Sequence, residues 1–448
     1  MRSPRFLFAA LAGTAAIAVL VGTTSASASA AGPNGRLLAL GRATLAPDDG
    51  WGASGTGTTG GSAATADHIY TVTNRAQLVA ALGGYNATNG TNTTPKIIFV
   101  KGTIDANTDA TGKALTCDDY ATDGYTLAGY LAAYDPAVWG RTAVPSGPLE
   151  DARDASQKKQ GAQVQIHVGS NTTLIGVGNA TLLGANLYLN KVDNVIVRNI
   201  TFSNAYDCFP QWDPTDGSTG NWNSEYDNVS LFTSTHVWVD HDTFTDGSYP
   251  DSAEPTYFDR PFQQHDGELD ITKASDLVTA EWNHFTNHDK TSLIGSSNSA
   301  TADIGHLRVT LHHNFYDNVL QRTPRVRFGQ VHVYNNLYRV SASSAAEYVY
   351  SWGVGVRSGI YAENNAFLLD STVPAAQIIY NWGGLAIHET GTLVNGKPVD
   401  VLAAFNAANP TAQLGSDVGW TPTLHQRVDP TRAVPGLVAC GSGAGHLK

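Results

Sequence analysis

Between residues 195 and 367 the apolar positions recur in one eight-residue pattern: VIVRNITF (Val195–Phe202), VWVDHDTF (Val237–Phe244), VTAEWNHF (Val278–Phe285), VTLHHNFY (Val309–Tyr316), VHVYNNLY (Val331–Tyr338) and IYAENNAF (Ile360–Phe367). Positions one and three are apolar, position six is Asn or Asp in all copies but the first, and position eight is aromatic. This alternation predicts a short half-buried strand, a polar turn and a second buried anchor.

The copies start 42, 41, 31, 22 and 29 residues apart. The shortest interval is about one coil of a β-solenoid, and the longer ones are coils that carry loops. With no helical pattern between the strands, the spacing predicts an all-β, single-stranded parallel β-helix. Position six then stacks Asp242, Asn283, Asn314, Asn336 and Asn365 from coil to coil. Asn tolerates left-handed backbone and bonds to its counterpart in the next coil, so a ladder is expected there. The aromatic column at position eight reads as core.

Outside the repeats, Asn74-Arg75-Ala76-Gln77 resembles a capping box that opens a helix through Leu82, placed to cover the open end of the solenoid. Strands are expected at Ile97–Val100, Thr103–Ile104, Val164–Val168, Thr173–Ile175 and Ala180–Leu183. Residues 107–163 form an insertion that ends in a charged helix near Glu150–Gln160, and the chain after Phe367 is expected to be irregular. Two long loops, Phe202–Val229 and Phe244–Leu269, are rich in Asp and aromatics and are the expected rim of a binding site.

The first thirty residues have the form of a secretory leader: Arg2 and Arg5, an apolar run Phe6–Val21, and Ala28-Ser29-Ala30 before the cleavage point. The domain reading is signal peptide 1–30, a Gly/Ala/Thr-rich opening segment 31–66 that is expected to be loosely ordered, and one β-helix domain 67–448. The predicted location is extracellular, with no membrane segment. The formal charge of −12 excludes a general basic surface for nucleic acid, so any cationic site is local. Three cysteines, Cys117, Cys208 and Cys440, allow three pairings and leave one thiol over.

Asp266 and Asp270 lie four apart at the start of a predicted strand, and Asp227 just precedes the strand at Val229. Three oxygen ligands without His or Cys suit Ca²⁺ better than zinc, whereas the bland reading is solvated acidic loop, the class assigned to Glu225 and Glu268. Against the acidic background, Lys290 and the run Arg322-Thr323-Pro324-Arg325-Val326-Arg327 concentrate positive charge. In an extended segment Arg325 and Arg327 share one face, and Pro324 re-aims Arg322. A polyanion fits between such cations and a bound metal.

The stretches VWVDH (Val237–His241), DGELDITKASDLVTAEWNHFTNHDKTSLIGSS (Asp266–Ser297) and LRVTLHHNFYDNVLQRTPRVRFGQVHVYNN (Leu307–Asn336) resemble the pectate lyases of polysaccharide lyase family 1. The resemblance implies a right-handed β-helix and Ca²⁺-dependent β-elimination of α-1,4-linked polygalacturonate by a secreted monomer. By position, Asp227, Asp266 and Asp270 match the calcium carboxylates, Arg322 the base, and Lys290 and Arg327 the substrate-carboxylate contacts. Asp240 and His241 read as structural. With a metal and two cations near it, Arg322 is expected to lose its proton more readily than usual, so activity rises into the alkaline range. Rival readings are a pectin lyase on methyl-esterified substrate, which the three carboxylates argue against, and a non-catalytic polysaccharide-binding β-helix. Asn107-Thr108-Asp109 resembles a polygalacturonase motif, but its companions Gly-His-Gly and Arg-Ile-Lys are absent.

Overall fold

The computed structural model describes residues 33–425 and 427–447, so the predicted leader lies outside the described residues. Each coil crosses three parallel sheets in a fixed order, and the molecule is a right-handed parallel β-helix. The first sheet holds the opening of every repeat: Val195, Val237, Val278, Val309, Val331 and Ile360 pair in one register. The second sheet holds the aromatic anchors, with Phe202, Phe244, Phe285, Tyr316, Tyr338 and Phe367 likewise in register. Their rings stack at 4.3–5.1 Å inside the core. The third sheet has eight strands, among them Val229–Phe232, Leu269–Thr272, Leu293–Ile294 and Arg325–Val326.

The corner between first and second sheets is the expected Asn ladder. Asn283 Nδ2 and its backbone N–H both donate to Asn314 Oδ1 at 3.0 Å, and Asn314 and Asn336 repeat the pattern onto the next coil. The left-handed residue, however, is position five: Asn199, His241, Trp282, His313, Asn335 and Asn364 have φ of 50–59°. The two tasks assigned to one Asn are divided between neighbours, because a side chain pointing inward to the ladder belongs to the residue after the turn.

The helix Arg75–Leu82 forms with Asn74 as its cap, accepting from Gln77 N–H at 2.9 Å, and it buries Leu78 and Leu82 over the end of the core. The expected strands form as Lys96–Asp105, Gln165–His167 and Thr172–Leu183.

Two expectations are corrected. The opening segment is ordered: it forms the helix Pro33–Gly41 and then runs along the outer face of the first sheet. There it bonds Trp51 N–H to Thr310 Oγ1, Gly52 N–H to Thr279 Oγ1 and Gly61 N–H to Thr173 Oγ1 at 2.8–3.0 Å. Its glycines serve close approach rather than looseness, since a Cβ on Gly61 would lie 1.9 Å from the Lys96 carbonyl oxygen. The chain after Phe367 also stays regular for another coil, with Ile379–Trp382, Ile387–Thr390 and Leu393–Val394 continuing the third, first and second sheets.

The insertion and the two long loops fold on one another. Helices Leu127–Tyr134 and Pro148–Val164 and the hairpin Gln211–Asp213/Asn221–Asn223 bury Tyr130, Phe209, Trp212, Trp222 and Phe262 in a second, aromatic core. The disulfide Cys117–Cys208 ties insertion to loop, and Cys440 is free and exposed. This lobe forms one wall above the third sheet. Among the described residues no helix is long and apolar enough to cross a membrane.

Candidate active site

All the residues singled out for chemistry fall on the approach to, or the end of, consecutive third-sheet strands. Asp227 precedes Val229–Phe232, Asp266 and Asp270 bracket the start of Leu269–Thr272, Lys290 precedes Leu293–Ile294, and Arg322 and Arg327 flank Arg325–Val326. Because Val229 pairs with Leu269 and Ser230 with Asp270, residues 40 or more apart in sequence become neighbours in adjacent coils.

Asp227 and Asp270 converge across Gly267. A Cβ on Gly267 would sit 2.4 Å from Asp270 Oδ1 and 2.8 Å from Asp227 Oδ1, so only glycine lets the two carboxylates meet there. Asp227 accepts from Gly267 N–H at 2.9 Å and from Ser230 Oγ at 2.5 Å, and Asp270 accepts from Leu293 N–H at 2.9 Å. Those donors do not balance two buried like charges. Burial and then the Asp270 and Asp266 charges push Asp227 well above the usual carboxylate range, and burial and then Asp266 push Asp270 up to about 7. Such a pair calls for a cation, and its all-oxygen donor set fits a hard one. Asp266 differs. Burial would raise it, but Lys290, 3.0 Å away, and Arg322 outweigh burial and hold it below the usual range.

The cations line a groove of ≈ 310 Å³ whose walls include Lys290, Arg322, Arg325, Trp382 and, from the aromatic lobe, Asn221 and Arg260. Arg322 sits at φ 61° beside the cis Thr323–Pro324 bond, and its Nε has no hydrogen-bond partner. Burial works to lower its guanidinium, yet Asp266 and Asp270 together raise it. Side chains alone therefore hold Arg322 charged, contrary to the expected ease of deprotonation; neutralising those carboxylates would remove the cause.

Arg325 and Arg327 flank the buried core residue Val326, and their side chains end on different partners. Arg325 lies over the Trp382 ring at 3.9 Å, and burial first, then Arg327, lowers it to about 10. Arg327, beyond the strand end, donates from Nε to Asn298 Oδ1 and from Nη1 to the Gly295 carbonyl, each at 2.8 Å. Glu225 is exposed as expected, but Glu268 is fully buried beneath the site and accepts from Thr291 Oγ1 at 3.0 Å. Asp240 and His241 lie in the repeat corner; buried Asp240 pairs with Arg198 at 2.9 Å and with His241.

Sequence reasoning missed Trp382, because the chain there was expected to be irregular, and His288, whose ring touches the carbonyls of Asp266 and Lys290 at 2.7 and 3.1 Å. The adjacency of His288 to Lys290 was the available signal.

A family model described as pectate lyase matches residues 14–128 and 146–407. The chain is 50% identical over 435 residues to a pectate lyase of Bacillus subtilis, covering 97% of this chain and 99% of that one. It is 38% identical to pectate lyase D of Dickeya chrysanthemi, over 83% of this chain and 84% of the relative. Among solved structures, a thermostable pectate lyase superposes with TM-score 0.89 at 52% identity, covering 91% of this chain and 100% of that one. A pectate lyase bound to a hexasaccharide gives 0.86 at 50%, with the same coverage.

Proposed function

The chain belongs to the pectate lyase family and is an enzyme of that activity, and from that premise we propose that it cleaves polygalacturonate by Ca²⁺-dependent β-elimination at the third-sheet groove. The observation that carries the reading is the pair of buried carboxylates, Asp227 and Asp270, meeting across Gly267 beside Arg322 and Lys290. Asp227, Asp266 and Asp270 would hold the calcium ion. Bound there, it would supply positive charge that offsets the carboxylates and draws electron density from a uronate carboxylate.

Lys290 has three donors and spends one on Asp266, so it can take a uronate oxygen without releasing that contact. Arg327 keeps N–H groups beyond the two bonded to Asn298 and Gly295 for the same purpose. Both hold the substrate so that the proton on C5 faces Arg322. Arg322, once deprotonated, accepts that proton; the C5–H electron pair forms the C4=C5 double bond. The glycosidic oxygen leaves C4 with its bonding pair and is protonated by water. The product has an unsaturated non-reducing end.

In this reading residues 1–30 are a leader, the mature chain works outside the cell as a monomer, and residues 31–66 precede the β-helix domain 67–448. Absorbance of the unsaturated product from polygalacturonate, with and without chelator, tests the activity and its metal. No absorbance rise with Ca²⁺ present would sink the proposal. A chelator-insensitive rise on methyl-esterified pectin would replace it with a pectin lyase.

A further inference from the structure

Behind the groove, the loop between Thr245 and Leu269 holds a second group of charged side chains that the elimination chemistry leaves unused. Asp246 at the start of the loop, Asp251 in the turn Asp251–Ala253 and His265 at its end bring three ligand atoms within 4.8 Å of one another. Glu254, its side chain fully buried, places Oε1 3.5 Å from His265 Nδ1.

Two features separate this group from an ordinary ion-pair cluster. First, Asp246 Oδ2, Asp251 Oδ2 and Glu254 Oε2 are buried without any hydrogen-bond partner, and the Asp246 and Glu254 side chains are only 5% and 0% exposed. Buried carboxylate oxygens left without donors are costly unless a cation meets them. Second, His265 is oriented from outside the cluster: its Nε2 lies 2.9 Å from Asn204 Oδ1, an acceptor, so Nε2 carries a proton. Its Nδ1 lies 2.7 Å from Asp251 Oδ1, so in the ion-free protein Nδ1–H donates to that carboxylate, and a bound ion would take the place of that proton. A ligating imidazole whose other nitrogen donates to an oxygen is the usual outer support of a metal site. A cavity of ≈ 380 Å³, lined by Asp246 and Asp251, gives access from solvent.

We propose that Asp246, Asp251 and His265, with Glu254 beside them, bind one divalent ion of the zinc class, separate from the all-carboxylate site of Asp227, Asp266 and Asp270. The imidazole nitrogen sets the preference, because hard cations such as Ca²⁺ favour all-oxygen donors whereas zinc accepts mixed nitrogen and oxygen sets. The ligands come from both ends of a long loop, so the ion closes it. His288 extends the effect to the groove. Its Nδ1 lies 2.9 Å from Asp246 Oδ1 while Nε2 meets the carbonyls of Asp266 and Lys290, so fixing Asp246 also fixes the segment that carries both.

The test uses the full chain, stripped with chelator and then dialysed against Zn²⁺ with Ca²⁺ in large excess to fill the all-oxygen site. Zinc per chain is measured by elemental analysis and the melting temperature is recorded with and without zinc. Native protein is expected to retain about one zinc and to melt higher with it. Asp251→Asn and His265→Gln should lose both effects, and Asp270→Asn should keep both. Asp251 lies in a surface turn with its side chain 23% exposed, so if His265→Gln does not fold, Asp251→Asn alone decides. Zinc well below one per chain in the native protein, zinc retained by folded Asp251→Asn, or zinc lost from Asp270→Asn would each overturn the proposal.

Discussion

The two connections on either side of the second sheet follow opposite rules. The corner that enters it from the first sheet is two residues long in every repeat, with a left-handed residue followed, in all repeats but the first, by a ladder residue. The connection that leaves it for the third sheet ranges from the short step Thr286 to Leu293 to the long excursions Ser203 to Val229 and Thr245 to Leu269. At the corner, the amides of Asn283, Asn314 and Asn336 are paired by the next coil, whereas in the connections Asp227 and Asp270 meet as like charges. The corner must repeat because each amide bonds to the same amide one coil away. The connections are free of that condition, and what they leave unbalanced is available to a ligand.

The sharpest way to break the contrast is on the connection side. Arg322→Ala should lower kcat by about 10²–10⁴ while leaving circular dichroism and melting unchanged; near-native turnover would remove Arg322 from the role of base. Next, Asp270→Asn takes one charge from the convergent pair. It should raise the Ca²⁺ concentration for half-maximal activity by about 10–100-fold, read from calcium titrations, and unchanged calcium demand would mean that the ion is held elsewhere.

On the corner side the expected effect is on stability alone. Asn314→Ala leaves the buried Asn283 N–H without its acceptor and should cost about 1–3 kcal/mol, seen in denaturant unfolding, with activity per folded molecule retained. A loss of activity without loss of stability would erase the distinction between the two connections.

The smallest effect is a pH dependence. With no cation bound, Asp270 keeps its proton up to about 7, whereas in the unfolded chain it loses it near 3.8. Between those values the folded state binds more protons, so its stability falls as pH rises through the interval. The gap in melting temperature between Ca²⁺-loaded and chelated protein should therefore widen from pH 4.5 to 7.5, and a constant gap would argue that these carboxylates are not the ligands.

The coils, the aromatic column, the Asn column and the capping helix were legible because each is written in local period or in identical residues at fixed spacing. The site residues were legible by type and by resemblance, since Asp227, Asp266, Asp270, Lys290, Arg322 and Arg327 stand in the departures from the period. Misreadings arose where composition stood in for geometry. Glycines in the opening segment read as looseness, yet Gly61 is there because the Lys96 carbonyl presses against it. Glu268 read as solvated because burial of a carboxylate has no local sequence signal.

By itself, the sequence determined that the six repeats stack, in what register, and which connections depart from them, because those follow from period and spacing. Tertiary structure alone decided that Asp227 and Asp270 meet across Gly267, that Arg322 is held charged by Asp266 and Asp270, that Trp382 lies under Arg325, and that Cys117 pairs with Cys208. Each of these joins atoms from different coils or from the lobe above them. Their energies depend on distance and burial, which no local stretch of residues specifies.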